Sequence, residues 1–321
     1  MKPHDLIQLI ERKGLANYSS HSRVHPLNGF NGQYYVKRDD ELSFGISGSK
    51  IRKYLSLIPF LKRNGVEEVV LIGGASSNNI VGLSQLLIEE GMRPILFLCG
   101  RKPRQPSGNL LISQLLVDPE SIHWFDRGSW PVINQLAEEF ANKRESCCVI
   151  PEGASCAEAL PGALTLALDI IENEAESGVS FDHIICDAGT GMAASALVLG
   201  NSLVGRDVHH HVVLLADDEK AFRDGCFRWK GELENFVGVK INDLSPVTTY
   251  KPTNARSFGS INAGVKKEIA RLAREEGILS DPVYSAKLFA EARNMELEGN
   301  ILLVHSGGAL GSMVGPQPLW L

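Results

Sequence analysis

The sequence predicts an α/β protein of two lobes, built on parallel sheets flanked by helices, and three observations predict it. The chain has 321 residues, more than one hydrophobic core usually organises. Short apolar runs rich in β-branched residues alternate with longer stretches of helical period, the pattern of strands joined by crossover helices. Glycine turns close several of the strands, where open α/β sheets place their ligands.

Taken in order, Glu67 to Ile72 and Pro94 to Cys99 read as buried strands, with helices over Ile80 to Glu90 and Leu110 to Val117. The rhythm returns in strand Asp182 to Asp187, helix Ala193 to Val204 and strand His209 to Leu215, and again in strand Asn300 to Val304. The turns are Gly73-Gly74, Gly189 to Gly191 and Gly307-Gly308. The segment Cys148 to Gly162, interrupted by glycine and proline, is the expected crossing between lobes. Gly315 to Leu321 reads as an irregular tail. There is no internal repeat or low-complexity stretch.

A hydrophobic fraction of 44%, a charged fraction of 22% and a net charge of -6 describe an ordinary globular protein and argue against nucleic acid as a partner. The short basic run Arg101 to Arg104 reads as a solvated loop. Met1 to Gly14 lacks the apolar centre of a secretory signal, and no window reaches the roughly 20 apolar residues of a membrane span, so a cytoplasmic protein without a membrane partner is expected. The six cysteines show no metal spacing and are expected to be free, most of them small buried hydrophobes. His209, His210 and His211 fall on one predicted strand, where neighbours face opposite ways; the three cannot all converge on one ion, and no metal site is expected. Phe227, Trp229 and Phe236 read as packing residues of a helical segment.

The chemistry-bearing residues cluster at the turns. Ile51, Tyr54, Leu55, Ile58 and Leu61 follow helical spacing, so a helix begins close to Lys50 with one face in the core. Lys53 lies one turn on and Arg52 beside it, a cationic neighbourhood that lowers a lysine pKa and favours the free amine needed for imine formation. Spacing alone leaves the bland reading open, that these are charges on an amphipathic surface helix. Gly73-Gly74-Ala75-Ser76-Ser77-Asn78-Asn79 lets a backbone approach a ligand and offers groups that cap a helix or hold an anion. Asp187 to Ala193 repeats strand, glycine turn and helix, an arrangement that holds phosphate through backbone N–H groups. His305-Ser306-Gly307-Gly308 adds another strand-end turn.

The segments KRDD (37–40), GSKIRK (48–53), GGASSNN (73–79), IPEGAS (150–155), DPVYSAK (281–287) and HSGG (305–308) stand in the order and near the spacing of a known family. From about Lys37 to about Gly311 the chain resembles the pyridoxal-phosphate enzymes that include D-cysteine desulfhydrase and 1-aminocyclopropane-1-carboxylate deaminase. The resemblance implies the tryptophan-synthase-β-like fold (fold type II), with a small domain over 50–155, a large cofactor-binding domain from 1–49 and 156–321, and pyridoxal 5'-phosphate between the lobes. It implies that Lys50 is the Schiff-base lysine and that Lys53 helps hold the cofactor phosphate together with Gly189, Thr190 and Gly191. It implies further that Ser77 faces the substrate, Asn78 the ring hydroxyl of the cofactor, Tyr284 the substrate, and Ser285 and Ser306 the pyridine nitrogen. The chain departs from the family pattern at Ser49, where asparagine is usual, at Met192 and Ala193, where glycine and threonine are common, and at Phe258, where many members carry a second tyrosine.

The implied function is a lyase acting on a small amino acid, foremost β-elimination from D-cysteine to pyruvate, ammonia and sulfide. The deaminases resemble one another in carrying glutamate after the tyrosine, whereas this chain has Ser285, which favours the desulfhydrase side. A deaminase of the cyclopropane amino acid is the alternative, as is a non-catalytic protein that binds the cofactor or an amino acid, suggested by Phe258, Met192 and Ala193. Members are often dimers, so a homodimer is expected.

Overall fold

The computed structural model of the chain describes residues 1–255 and 259–309, apart from the side chains at 44 and 45. The chain opens with α1 (Pro3–Arg12), β1 (Val24–Pro26), β2 (Gln33–Lys37) and α2 (Lys50–Arg63). A βα series follows: β3 (Glu68–Gly74), α3 (Asn78–Glu89), β4 (Arg93–Cys99), α4 (Asn109–Leu116), β5 (Ile122–Phe125), α5 (Ile133–Ala141) and β6 (Cys147–Ile150). Next come α6 (Leu160–Ala163), α7 (Thr165–Ser177), β7 (His183–Ala188), α8 (Met192–Leu203), β8 (His209–Leu214), α9 (Glu219–Val237) and β9 (Val247–Tyr250). The last elements are α10 (Ala263–Glu275), α11 (Ser285–Ala292) and β10 (Asn300–Val304). The tail residues Gly315 to Leu321 and Phe258 lie outside the described residues.

The strands form two sheets, ordered β5-β4-β3-β6 and β1-β2-β10-β7-β8-β9. Every pair is parallel except β1 with β2. Val69 to Ile72 of β3 are buried on both faces, as a parallel strand covered by helices requires. The strand also continues past the expected Ile72, because Gly73 and Gly74 keep pairing with Leu98 and Cys99. The expected strands and helices are present, with boundaries shifted by one or two residues. β2 was not foreseen: it slots beside β10 with Lys37 opposite Val304.

One apolar core joins α2 and α3 of the first sheet to α6, α8 and α9 of the second, through Ile51, Tyr54, Leu83, Met192 and Trp229. Each such side chain contributes about 1.5–3 kcal/mol on burial, so α2 is anchored to both halves. Pro59 inside α2 removes the N–H that would bond Leu55; the freed carbonyl accepts from the Ala16 N–H at 2.8 Å instead. Phe227, expected to pack, is 65% exposed, because α9 turns that position outward while Trp229 faces the core. All six cysteines are free, but only Cys186 and Cys226 are buried. No helix among the described residues is long and apolar enough to cross a membrane.

Behind α2 lies a buried ion network. Arg52 grips both carboxylate oxygens of Asp39 at 2.7 Å and donates to Asp169 at 2.6 Å. Lys37 pairs with Asp169 and donates to the Ser22 carbonyl and to Asn173 Oδ1, both at 2.6 Å. The network ties β2 and the turn after it to α2 and α7.

Candidate active site

The turns after β3, β7 and β10 and the start of α2 surround one cleft of about 890 Å³, counting the space open to solvent. Lys50 is the first residue of α2. The turn before it is stitched to the last strand-end turn by the Ser49 N–H, which donates to the Ser306 carbonyl at 2.9 Å. Gly48, at φ +53, makes this approach possible; a Cβ there would stand 2.2 Å from that same carbonyl oxygen.

Lys50 is half-buried at the cleft wall, its Nζ 5.6 Å from the centre of the Tyr284 ring. Burial lowers its pKa, with Asp187 and Asp281 opposing the shift. The cause expected from sequence is therefore corrected: desolvation acts on Lys50, while Arg52 faces away into its carboxylates. Lys53 does sense its neighbour. Burial first, and the Lys50 charge second, push it down to about 7. Its Nζ donates to the Gly153 carbonyl at 2.8 Å and lines the same cleft.

Ser77 and Asn78 both line the cleft. Ser77 is the N-cap of α3, its Oγ accepting from the Asn79 and Ile80 N–H groups. Asn78 is oriented by Asn109, whose Nδ2 donates to Asn78 Oδ1 at 2.6 Å and to the Ser76 carbonyl at 2.9 Å. Gly189, Thr190 and Gly191 line the opposite wall, with Gly191 the N-cap of α8. Met192 turns into the core and Ala193 faces the cleft, so the hydroxyl at this turn is that of Thr190, which accepts from Ser155 at 2.8 Å.

Ser306 is in the cleft and Ser285 is not. The Ser285 side chain is fully buried; its Oγ donates to Asp281 Oδ1 at 2.7 Å and accepts from the Asp281 N–H at 2.7 Å. Asp281 also accepts from the N–H groups of Val283, Tyr284 and Ser285, so the two side chains together close the first turn of α11. At this helix start the serine hydroxyl turns to the aspartate four residues back rather than into the cleft. Ser285→Ala should lower stability by about 1–2 kcal/mol in thermal denaturation and leave the visible spectrum of the cofactor-loaded protein unchanged.

Asp187 was not singled out by sequence reasoning as a site residue. It lines the cleft and accepts from Ser306 Oγ at 2.8 Å, and burial raises its pKa against the pull of Ser306 and Lys50. An acidic residue at the end of an apolar strand, directly before a glycine turn, was the signal available for it.

The cleft therefore collects the N-termini of α2, α3 and α8 and the lysines Lys50 and Lys53. The start of α8, which has no side-chain cap, together with cations at the same place, suits a phosphate dianion. Gly189 leaves bare backbone against the Tyr284 ring, where a Cβ would stand 3.1 Å from the ring edge. A free, desolvated amine beside it suits an aldehyde. These residues fit pyridoxal phosphate.

The comparisons agree. The family model described as "Pyridoxal-phosphate dependent enzyme" matches residues 20–307, and the chain belongs to that family. It is a pyridoxal-phosphate enzyme with the two-lobed tryptophan-synthase-β-like fold, related to the D-cysteine desulfhydrases and 1-aminocyclopropane-1-carboxylate deaminases. A Thermotoga maritima protein named "Putative 1-aminocyclopropane-1-carboxylate deaminase" is 31% identical over 306 residues, covering 90% of this chain and 92% of that one. The "D-cysteine desulfhydrase" of Serratia proteamaculans is 25% identical over 299 residues, covering 86% of this chain and 87% of that one. The solved structure titled "Crystal Structure Analysis of the ACC deaminase homologue" matches with a TM-score of 0.83 and 24% identity over 96% of each chain.

Proposed function

We propose that the enzyme catalyses β-elimination from D-cysteine, releasing sulfide, pyruvate and ammonia. The observation that carries the reading is the Lys50–Tyr284 pair: an amine held toward its neutral form 5.6 Å from the ring of a phenol held toward its protonated form. Burial raises the Tyr284 pKa, and Asp187 and Asp281 add to it. An elimination needs one group that takes a proton and another that gives one.

In this reading Lys50 anchors the cofactor, Lys53 and the N–H groups at the start of α8 hold its phosphate, and Asn78 and Ser306 face its ring. Pyridoxal phosphate, when bound, supplies a carbonyl for the substrate amine and a conjugated ring that accepts the electron pair of the broken Cα–H bond. Ser77 binds the substrate side of the cleft. Lys50 takes the α proton. The Cβ–S bond breaks with its electrons on sulfur, and Tyr284 delivers a proton to the departing thiolate. The aminoacrylate released takes up water and gives pyruvate and ammonia.

The name of the Thermotoga relative favours a second reading, in which the cyclopropane amino acid is the substrate and 2-oxobutanoate the product. Product analysis with D-cysteine, L-cysteine, D-serine and the cyclopropane amino acid in parallel tests both. Sulfide and pyruvate from D-cysteine are expected. Turnover of the cyclopropane substrate alone selects the second reading, and spectral shifts without any product identify a binding protein.

A further inference from the structure

His183 opens β7 and pairs in register with His209, which opens β8; His211 follows two residues later. Residues opposite one another on paired strands, and residues two apart along one, share a sheet face. His183, His209 and His211 therefore stand together, while His210 turns to the other face and bonds Asn201 at 2.9 Å. The expectation that three successive histidines cannot converge holds for the run itself. The neighbouring strand supplies the third ligand that sequence reasoning did not consider.

One ring nitrogen from each of the three lies within 4.8 Å of the other two. His183 Nδ1 and His211 Nε2 are 3.0 Å apart. At zinc–nitrogen bonds of about 2.0–2.1 Å, two nitrogens on a tetrahedral ion stand about 3.3 Å apart, so this pair already has nearly the span of a shared ion. The rings of His209 and His211 stack with centroids 4.4 Å apart. Their orientation is held from β9: the Tyr250 hydroxyl lies 2.9 Å from His211 Nδ1, and Thr248 Oγ1 lies 2.8 Å from His209 Nε2. Outer partners of this kind are what fix ligating imidazoles.

We propose that His183, His209 and His211 form a binding site for a divalent transition cation of the zinc class, with water completing the coordination. Three imidazoles without a carboxylate select such an ion over calcium or magnesium. His183 and His209 are half-buried and give the ion a path from solvent, whereas His211 is buried beneath them. The site sits where β7 and β8 begin, and Asp187 and the Gly189 turn lie at the far end of β7. The ion pins the two strands together and takes no part in the cofactor chemistry.

The test uses the cofactor-loaded enzyme after chelation and desalting. Calorimetric titration with zinc chloride should give one equivalent, and cobalt chloride should give the visible bands of tetrahedral coordination by nitrogen and oxygen. His183→Ala and His209→Ala, both at half-buried positions, should each lose the equivalent. His21→Ala, in the exposed cluster with Glu172 and Glu176, should keep it. No zinc equivalent in the wild type overturns the proposal, as does binding that persists in the His183→Ala/His209→Ala double variant. The cobalt spectrum of the wild type tests it without any variant: octahedral bands, or a sulfur charge-transfer band placing the ion on cysteine, overturn it.

Discussion

Lys50→Ala should reduce turnover by at least about 10³-fold, the scale lost when a nucleophilic amine and a general base are removed in one side chain. The position of Lys50 follows from two constraints. The backbone before it is bonded to Ser306, and its own helix packs against both halves of the protein. Among the described residues no other lysine shares that geometry: Lys53, one turn further on, is tied to the Gly153 carbonyl. The variant should still hold cofactor, more weakly, because Lys53, Asn78 and the start of α8 are untouched. Borohydride treatment of the wild type followed by peptide mapping should place a pyridoxyl group on Lys50. A label on Lys53, or activity in Lys50→Ala within tenfold of the wild type, would remove Lys50 from its assigned role.

What was legible in the sequence was local. The apolar spacing after Lys50 marked a helix start, and strand, glycine and helix in succession marked the turns, because those signals lie within a dozen residues of one another. Pairings across the chain were not legible. Asn109 orients Asn78 from 31 residues away and Ser306 meets Asp187 across 119, and no local pattern announces either. Ser285 shows the converse. A motif position suggested the cleft, while the aspartate four residues earlier captures the hydroxyl. The histidine group needed strand register, since His183 meets His211 only once β7 and β8 are paired.

KRDD is the plainest case of a motif whose position was legible and whose purpose was not. Lys37 and Asp39 stand in sequence only as part of the family motif and Arg52 as a cation beside Lys50, yet all three are buried: Arg52 pairs with Asp39, and Lys37 and Arg52 share Asp169. That partner lies 117 residues beyond Arg52. Its absence from any local window is why Arg52, a member of a structural network, passed for part of a catalytic neighbourhood.

Arg52→Ala should accordingly destabilise the protein by about 3–5 kcal/mol, because it leaves Asp39 and Asp169 buried without their main cation. In a thermal scan this is a fall on the order of 10 °C or less. Lys220→Ala, which removes an exposed pair with Asp224, should leave the melting temperature unchanged. The two variants also differ in acid. Burial alone would raise the Asp39 pKa, but the Arg52 charge and its hydrogen bonds outweigh it, and the folded carboxyl lies below its ordinary value. A depressed carboxyl contributes stability that is present above its unfolded value, near about 3.9, and is lost as pH falls through the folded one. The wild type should therefore lose stability steeply below about pH 4, and Arg52→Ala, which no longer holds that carboxyl down, should lose less over the same range. Parallel acid limbs in the two proteins, or an Arg52→Ala melting temperature equal to that of Lys220→Ala, would show that the network does not stabilise the lysine helix.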